Sequence, residues 1–486
     1  LNTTGGYNVA IGHDALDANT TASSNTAVGY GALSTTTTKS DQTAIGYKAL
    51  YAANDSSDYN TALGFQALMA LTSGTRNIAV GWEAGVNLTT ANRCTIIGQN
   101  AAQATLTGDD NVIIGREAGY DLTSGGTNTS VGNYSLQNTT TGSANVAIGM
   151  EALQANTTAS GNTAVGYKAL EANTSGSGNV AVGQNSLRTI VTGNYCTAVG
   201  NATLENNTAS DNTAVGCNAL ITNTTGDNNT AIGRATLNDN TTGGSNTAVG
   251  KSALTANTTA SANTAVGANA LDVNTTGASN TAMGYNALGS NTTAADNTAV
   301  GRDALTANTT GTNNVAVGKD ALAASTTANQ STAVGKGAGL NVTTGEGNTL
   351  LGYNCGQNIT NGGANTVIGR DALRTATGSS YNVAVGYHAL YETGGTGYNT
   401  GVGYYAGFEL TTGENNLLLG LNAGRSASPS GEITTGSNNV VLGNNSIANL
   451  YCADTSISSS DARDKTDVED FKYGLSWITA LRPVTY

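Results

Sequence analysis

One short motif recurs along the sequence at a fixed spacing. In Asn162–Gly178 (NTAVGYKALEANTSGSG), Asn162 is taken as position 1 and Gly166 as position 5. Glycines equivalent to Gly166 occur in 26 copies, and 22 of the 25 intervals between them are 17 residues long; the others are 18, 16 and 23. A fixed short period over this length predicts a solenoid in which each repeat forms one coil.

Residue types are restricted at each position of the repeat. Position 4 is Val, Ile, Leu or Met in all 26 copies, and position 1 is Asn in 22, the exceptions being Gln42, Cys94, Cys196 and Ser331. Positions 8 and 9 are mostly Ala and Leu. The density of Thr, Val, Gly and Asn favours strands and turns over helix. We therefore predict an all-β fold, a parallel β-solenoid or β-roll of about 26 coils with two short strands per coil.

Stacking places equivalent positions above one another at about 4.8 Å. Position 1 then predicts an asparagine ladder, and position 4 a β-branched ladder in the interior. The position-5 glycine indicates a backbone conformation closed to other residues, or a close approach of another strand. Where position 9 is Gly, position 12 is apolar, so each coil still contributes one large apolar side chain to the core. These pairs are Gly85 with Leu88, Gly119 with Leu122, Gly339 with Val342, Gly356 with Ile359, and Gly407 with Leu410; Gly424 departs from the rule.

The first strand of each coil is apolar on both faces. Positions 2 and 4 share one face and position 3, usually Ala and never charged, lies on the other. A strand that is apolar on both faces is buried on both faces. One face can line the interior of the roll, and the simplest partner for the other face is a second copy of the chain.

Composition excludes several classes of protein. Hydrophobic residues make up 38% of the 486 residues, charged residues 10% and aromatic residues 5%, the profile of a fibrous stack with a thin core. The net charge of −13 and the lack of a basic stripe argue against nucleic-acid binding. No apolar run reaches the length needed to span a bilayer. The chain begins inside a repeat without an initiating Met, which indicates a fragment.

The repeats divide the chain into a shaft and a C-terminal segment. We predict a shaft over residues 1–448, with a loop insertion at 421–442 that contains Pro429 in the 23-residue interval. Residues 449–460 are interpreted as a linker, and residues 461–486 as the beginning of a further domain. The 18- and 16-residue intervals should be absorbed in turns.

Position 6, directly after the glycine, tolerates every chemistry and is therefore expected to face solvent. A column of aromatic side chains there could contact a host receptor such as a glycan, although a solvated surface row is the simpler interpretation. The candidate receptor-contact residues are Tyr30, Tyr47, Phe65, Trp82, Tyr167, Tyr285, Tyr353, Tyr387 and Tyr404.

Other chemically suggestive residues have structural explanations. N-x-[ST] sequences such as Asn156-Thr-Thr and Asn308-Thr-Thr recur at one repeat position, which indicates turn chemistry rather than glycosylation. The five cysteines are odd in number and lack C-x-x-C spacing, so we interpret them as small buried or surface substitutes. His13 and His388 are too far apart to form one site. Nothing in the array predicts catalysis, a cofactor or a metal.

After Asn449 the period stops, and Ser460 is followed five residues later by Lys465. A serine and a lysine can act as nucleophile and general base if a turn brings them together. By spacing alone this signal is weak, because Ser-rich linkers often precede charged helices.

The segment Ser460–Tyr486 resembles the beginning of the endosialidase-type C-terminal intramolecular chaperone of bacteriophage tail fibres and tailspikes. The shared pattern is Ser-Asp-x-Arg-x-Lys, then Gly-Leu, then Leu-x-Pro-Val-x-Tyr. It is matched by Ser460, Asp461, Arg463, Lys465, Gly474, Leu475, Leu481, Pro483, Val484 and Tyr486. The resemblance implies trimerisation, and self-cleavage between Ser460 and Asp461 with Ser460 as nucleophile and Lys465 as activator.

The array resembles two families. Segments such as Asn8–Gly12 (NVAIG) are similar to the head repeats of trimeric autotransporter adhesins, which form left-handed β-rolls in trimers. The 17-residue NTAVGYxALxxNTTG form looks more like the tail-fibre repeats of marine and cyanobacterial phages.

These resemblances imply a homotrimeric, non-enzymatic tail-fibre shaft of a virion, which contacts other fibre proteins and a host-surface glycan or protein. The alternative is a trimeric adhesin on a bacterial surface; a chaperone at the C-terminus favours the phage. An ice-binding protein would need a flat Thr-x-Thr face, whereas the adjacent threonines here lie at a turn. A polysaccharide depolymerase would need a recurrent pair of acids.

Overall fold

The computed structural model describes residues 2–54, 56–394, 397–449 and 451. Within them the fold is all-β, and each repeat forms one coil of a parallel β-solenoid. The solenoid unit comprises Leu1–Asn444. Each coil is numbered by its strand. The strands are β1 Val9–Ile11, β2 Thr26–Val28, β3 Thr43–Ile45, β4 Thr61–Leu63, β5 Ile78–Val80, β6 Thr95–Ile97, β7 Val112–Ile114, β8 Thr129–Val131, β9 Val146–Ile148, β10 Thr163–Val165, β11 Val180–Val182, β12 Thr197–Val199, β13 Thr213–Val215, β14 Thr230–Ile232, β15 Thr247–Val249, β16 Thr264–Val266, β17 Thr281–Met283, β18 Thr298–Val300, β19 Val315–Val317, β20 Thr332–Val334, β21 Thr349–Leu351, β22 Thr366–Ile368, β23 Val383–Val385, β24 Thr400–Val402, β25 Leu417–Leu419 and β26 Val440–Leu442.

Each coil contains one strand of three residues, at positions 2 to 4, so the prediction of two strands per coil is wrong. The reason lies in the backbone of the second segment. Positions 7 and 9 adopt positive φ, as Lys168 at 56° and Leu170 at 53° show. An extended strand requires negative φ, so the Ala-Leu segment forms a turn instead.

The strand faces are the reverse of those predicted. Position 3 points into the core, so Ala164 is fully buried, whereas Thr163 and Val165 at positions 2 and 4 are only partly buried. The predicted β-branched interior ladder is therefore an outer column. The core of a 17-residue coil is narrow, and the small Ala fits it together with the Leu at position 9. Leu170 is fully buried, which offsets the cost of about 1–2 kcal/mol for its left-handed backbone.

The asparagine ladder at position 1 is confirmed. The side-chain Oδ1 of Asn162 accepts a hydrogen bond from the backbone N–H of Asn179 in the next coil, at 2.9 Å. Its Nδ2 donates to the carbonyl oxygen of Gly176 in its own coil, also at 2.9 Å. A second ladder, which the sequence did not suggest, lies at position 12, where Asn257 donates to Asn240 Oδ1 at 2.8 Å. These amides satisfy buried polar groups that would otherwise destabilise the coil.

Both explanations for the position-5 glycine hold. Gly166 has φ of +135°, a conformation that other residues rarely adopt. A Cβ atom there would lie 2.5 Å from the carbonyl oxygen of Gly183 in the next coil. No side chain larger than hydrogen therefore fits at this position.

Coils with Gly at position 9 carry a buried apolar residue at position 12 instead, as predicted. Leu88 at position 12 is fully buried, and a Cβ on Gly85 would lie 3.0 Å from both Ile96 and Leu68, so the glycine makes room for larger neighbours. Gly424 follows the same rule after all. The carbonyl of Thr434 accepts a hydrogen bond from the N–H of Thr411, which is at position 13 of the preceding coil, so Thr434 is at position 13 and Ile433 at position 12. Ile433 is buried and is the apolar partner of Gly424; the inserted residues lie between Gly424 and Ile433.

Irregular intervals leave the sheet register intact. Across the 16-residue interval Thr197 pairs with Thr213, and across the 23-residue interval Leu417 pairs with Val440. The length differences are therefore absorbed in turns, as predicted. In the longest interval the chain leaves the coil after Gly424 and returns at Ile433, whose N–H donates to the Gly424 carbonyl at 2.9 Å.

The cysteines of the described region are free. Cys94, Cys196 and Cys355 are buried, and burial raises the pKa of the Cys355 thiol to about 12. Cys217 is exposed. These four residues act as the small substitutes that the sequence indicated; Cys452 lies outside the described residues.

We predict that Asn162→Ala lowers the free energy of unfolding of the whole chain by about 1–3 kcal/mol, because the buried N–H of Asn179 loses its acceptor. The Gly176 carbonyl keeps a second donor, Asn173 Nδ2 at 2.9 Å. The measurement is urea denaturation followed by circular dichroism.

The matched variant is Cys94→Asn, which replaces the thiol sulfur, a weak acceptor for the N–H of Asn111, by a side-chain amide oxygen, a stronger one. It should raise the free energy of unfolding by about 0.5–1.5 kcal/mol. Replacement of the exposed Cys217 by Ser controls for loss of a thiol and should change nothing. Equal stability of the wild type and Asn162→Ala would show that the ladder contributes no stabilisation.

Candidate functional site

The position-6 residues lie in the turn that follows the strand, directly after the obligatory glycine. Seven of the nine candidate side chains are between 39% (Tyr167) and 56% (Tyr285) exposed. Phe65 and Tyr387 are half-buried. The column is thus open to solvent in the isolated chain, as the sequence predicts.

The candidates of the first coils form one continuous stack, which we call the N-terminal ring stack. Its ring centroids are 5.4 Å apart for Tyr30–Tyr47, 5.1 Å for Tyr47–Phe65 and 4.1 Å for Phe65–Trp82. His13 extends it at 5.4 Å from Tyr30. Such pairs contribute about 0.5–1.5 kcal/mol each. Because the rings cover one another's faces, the stack presents ring edges and hydroxyl groups to a ligand.

The candidates of the last coils form a second column, in which cations alternate with rings. Lys336 Nζ lies 5.5 Å from the Tyr353 ring, and the Arg370 guanidinium is 5.6 Å from Tyr353 and 5.7 Å from Tyr387. Tyr387 then stacks on Tyr404 at 5.3 Å. These cation–π contacts stabilise the position of the Arg370 guanidinium beside the Tyr353 and Tyr387 rings.

Tyr167 and Tyr285 belong to neither column. Lys168 Nζ lies 5.6 Å from the Tyr167 ring and bonds Glu171 at 2.8 Å and Glu151 at 3.1 Å. The hydrogen bonds that its ammonium group donates to these two carboxylates raise the pKa of Lys168. The nine candidates therefore form two clusters and two separate positions, rather than one continuous surface.

Positions 7 and 10 supply functional groups that the sequence analysis missed. His388 at position 7 packs against the Tyr391 ring at 4.7 Å and the Phe408 ring at 5.7 Å. The Arg425 guanidinium lies 4.8 Å from the Tyr405 ring. The available signal was the concentration of aromatic residues at positions 7 and 10 of coils 23 and 24.

An almost fully buried carboxylate lies beside this cluster. Asp371 contacts Arg370 Nε at 3.1 Å, Arg374 Nη1 at 3.3 Å and His388 Nε2 at 3.6 Å. Burial lowers the pKa of His388, and the arginines add to this effect, although Asp371 opposes it. The shift favours the neutral form of the imidazole.

The other sequence candidates fall into two groups. Asn156 and Asn308 are fully buried, and each side-chain amide donates to a carbonyl of its own turn, that of Ala159 and Gly311 respectively, which supports the turn interpretation. Ser460, Asp461 and Lys465 lie outside the described residues.

Among the described residues there is no group of three or more His, Cys, Asp and Glu side chains placed to hold a metal ion. The same part of the chain has no helix of the length and apolar character required to cross a membrane. Comparison with family models and with curated proteins finds no match for the chain.

We predict that the C-terminal coils lose stability as the pH falls through about 6.5, the ordinary pKa of histidine. The folded-state pKa of His388 is lowered, so the unfolded chain binds the proton more readily and acid favours unfolding. Hydrogen exchange of residues 382–415, measured between pH 8 and pH 5, should show this loss.

His388→Asn is the matched control, because Asn354 and Asn422 occupy the same repeat position at φ of 50° and 52°. Its exchange should be less sensitive to pH over this range. An unchanged pH dependence in the variant would exclude His388 as the cause.

Proposed function

We propose that this chain is the shaft of a homotrimeric fibre, a phage tail fibre that contributes to contact with the host surface and does not itself act as an enzyme. The observation that carries the proposal is an uncovered stripe on the solenoid, formed by the outward side chains at positions 2 and 4 of all strands. We call it the outer stripe.

The outer stripe is uncharged along the whole solenoid, and its position-4 column is apolar. Position 4 is Val, Ile, Leu or Met throughout, and its more exposed members range from 36% exposed at Val215 to 46% at Leu351 in the interior coils. Position 2 is mostly Thr or Val. None of the 52 residues of the stripe is charged. A continuous apolar column at position 4, beside an uncharged column at position 2, marks an interaction site.

Energetics favour covering this surface. Full burial of a Val or Leu side chain stabilises by about 1.5–3 kcal/mol, so covering roughly a third of each position-4 side chain contributes on the order of 10–25 kcal/mol per chain. Association costs about 4–15 kcal/mol. The gain is therefore sufficient for stable assembly even before position 2 is counted.

A second copy of the chain is the partner that matches the stripe best, because it offers the same period and the same uncharged surface over the same length. The resemblance to phage fibres and to trimeric adhesin heads supports three copies and a left-handed roll. A virion fibre outside the cell is the corresponding location, and the two aromatic columns are the surfaces offered to a host glycan or protein.

The C-terminal segment would set the register of the three chains. Near-identical coils permit a chain to slip by one whole repeat at the loss of only its end contacts. A non-repetitive trimerising domain at one end removes this ambiguity. The resemblance of Ser460–Tyr486 to the phage chaperone supports this role, and it is also the reason to prefer the tail fibre over a bacterial adhesin.

The interface is tested by three adjacent charge substitutions. Ala265→Asp should prevent folding, because it buries an unpaired carboxylate at a cost of several kcal/mol. Val266→Asp should fold but should lower the temperature at which the copies dissociate, because it brings like charges together in the stripe. Ala268→Asp at position 6 should behave as wild type. Circular dichroism and sedimentation velocity over a temperature series give the two readouts.

A monomeric wild type would contradict the fibre proposal. Equal dissociation temperatures for Val266→Asp and Ala268→Asp would show that the copies associate through another face.

Self-cleavage is tested on the complete gene product. Ser460→Ala and Lys465→Ala should each leave the chain intact where the wild type is cut, without preventing trimer formation. Gel electrophoresis under denaturing conditions distinguishes the two lengths. A cut at the same bond in both variants would exclude this pair of residues.

A further inference from the structure

A pocket of about 280 Å³ lies on the surface of coils 1 to 3, beside the N-terminal ring stack. Its lining residues are Asp14, Asp17, Tyr30, Ser34, Thr35, Lys48 and Tyr51. The volume lies just below the usual range of about 300–1,000 Å³ for ligand sites. This size suits one small polar ligand rather than a long chain.

The pocket lies beside position 7 of coil 2, which is glycine. The same position carries Asp14 in coil 1 and Lys48 in coil 3, whereas Gly31 has no side chain and is buried beneath the Tyr51 ring and the Lys48 stem, which line the pocket. Gly31 adopts φ of +63°, the conformation that position 7 has in other coils. A Cβ there would lie 3.4 Å from Tyr51 Cδ2 and 3.5 Å from Lys48 Cγ, which is ordinary contact.

The lining combines aromatic and charged groups. Tyr30 is 46% and Tyr51 38% exposed, and Lys48 Nζ lies 5.2 Å from the Tyr51 ring centroid. Asp14 is paired with His13 at 2.8 Å. The Ser34 hydroxyl oxygen is buried and has no hydrogen-bond partner. A buried hydroxyl without a partner costs free energy, and this oxygen lies beneath the pocket surface rather than open to a ligand.

Charge limits the class of ligand. Two carboxylates and one ammonium group give the pocket a negative balance, which disfavours sialic acids, phosphates and other anions. Carboxylates accept hydrogen bonds from hydroxyl groups, lysine donates them, and tyrosine rings pack against C–H groups. Neutral hexoses and N-acetylhexosamines carry this combination of groups.

We propose that the Gly31 pocket is a binding site for one neutral sugar residue of a surface glycan. The inference rests on the proposed host-contact function and gives it a substrate class and a location. In this arrangement Asp14, Asp17 and Lys48 bind the hydroxyl groups, while Tyr51 packs against the apolar face of the ring.

The test is saturation-transfer difference NMR on the complete chain. The probes are the methyl glycosides of glucose, galactose, mannose and N-acetylglucosamine, with N-acetylneuraminic acid as the anionic probe. We expect signal transfer to at least one neutral sugar and none to N-acetylneuraminic acid. Gly31→Asn adds a side chain that must displace the Tyr51 ring and the Lys48 stem from the pocket wall, so it should abolish the signal. Position 7 carries Asn elsewhere, as at Asn185 and Asn269, so the coil should remain folded.

Ser252→Asn makes a similar change at position 7 of coil 15 and should keep the signal. Tyr51→Ala should weaken it. A wild type that binds none of the neutral sugars, or a Gly31→Asn variant that binds as well as the wild type, would overturn the inference. Neither result bears on the fibre proposal, which depends on the oligomeric state. Conversely, a monomeric chain that binds sugar would support the pocket as a sugar site and contradict the fibre proposal.

Discussion

The structure depends on hydrogen bonding between adjacent coils. Each three-residue strand is too short to be stable alone, and its backbone groups are paired only by the coils above and below it. The side chain of Asn162 extends this pairing into the core, because its oxygen accepts from the next coil and its amide group donates within its own. Gly166 permits the close approach that this stacking requires. The strand, the asparagine and the glycine therefore keep the same spacing from one another in each coil, and changes in repeat length are confined to the turns.

The close stacking of coils also determines which side chains are exposed on the surface of the molecule. A narrow coil holds only Ala164, Ala169, Leu170 and the amides of Asn162 and Asn173 in its interior. The larger β-branched residues are left outside, where they form the outer stripe. The outer stripe and the core are thus consequences of the same small cross-section. The sites proposed for other molecules lie around the turns at positions 6, 7 and 10, where residue types vary most from coil to coil.

Much of this architecture could be predicted from the sequence, because the period, the asparagine and the glycine act through local chemistry. Which face of the strand lines the core could not be predicted. Hydrophobicity alone places Val165 inside, whereas the room available admits only Ala164. The prediction of a second strand failed for another reason, since Lys168 and Leu170 have a left-handed backbone. The signal for it was the residue type at position 7, which is Asn, Asp or Gly in 14 of the 26 copies. For the candidate site, the sequence indicated the exposed column at position 6. The pocket beside Gly31 and the cluster around His388 are formed by side chains of neighbouring coils that only the fold brings together.

Electron cryomicroscopy of the assembled protein tests the central claim most directly, since a cross-section shows which side of each solenoid faces the others. We expect three chains in register, with Val266 and the other position-4 side chains against the partners and the position-6 residues at the periphery. A single solenoid, or an assembly in which the outer stripe faces solvent, would contradict the account.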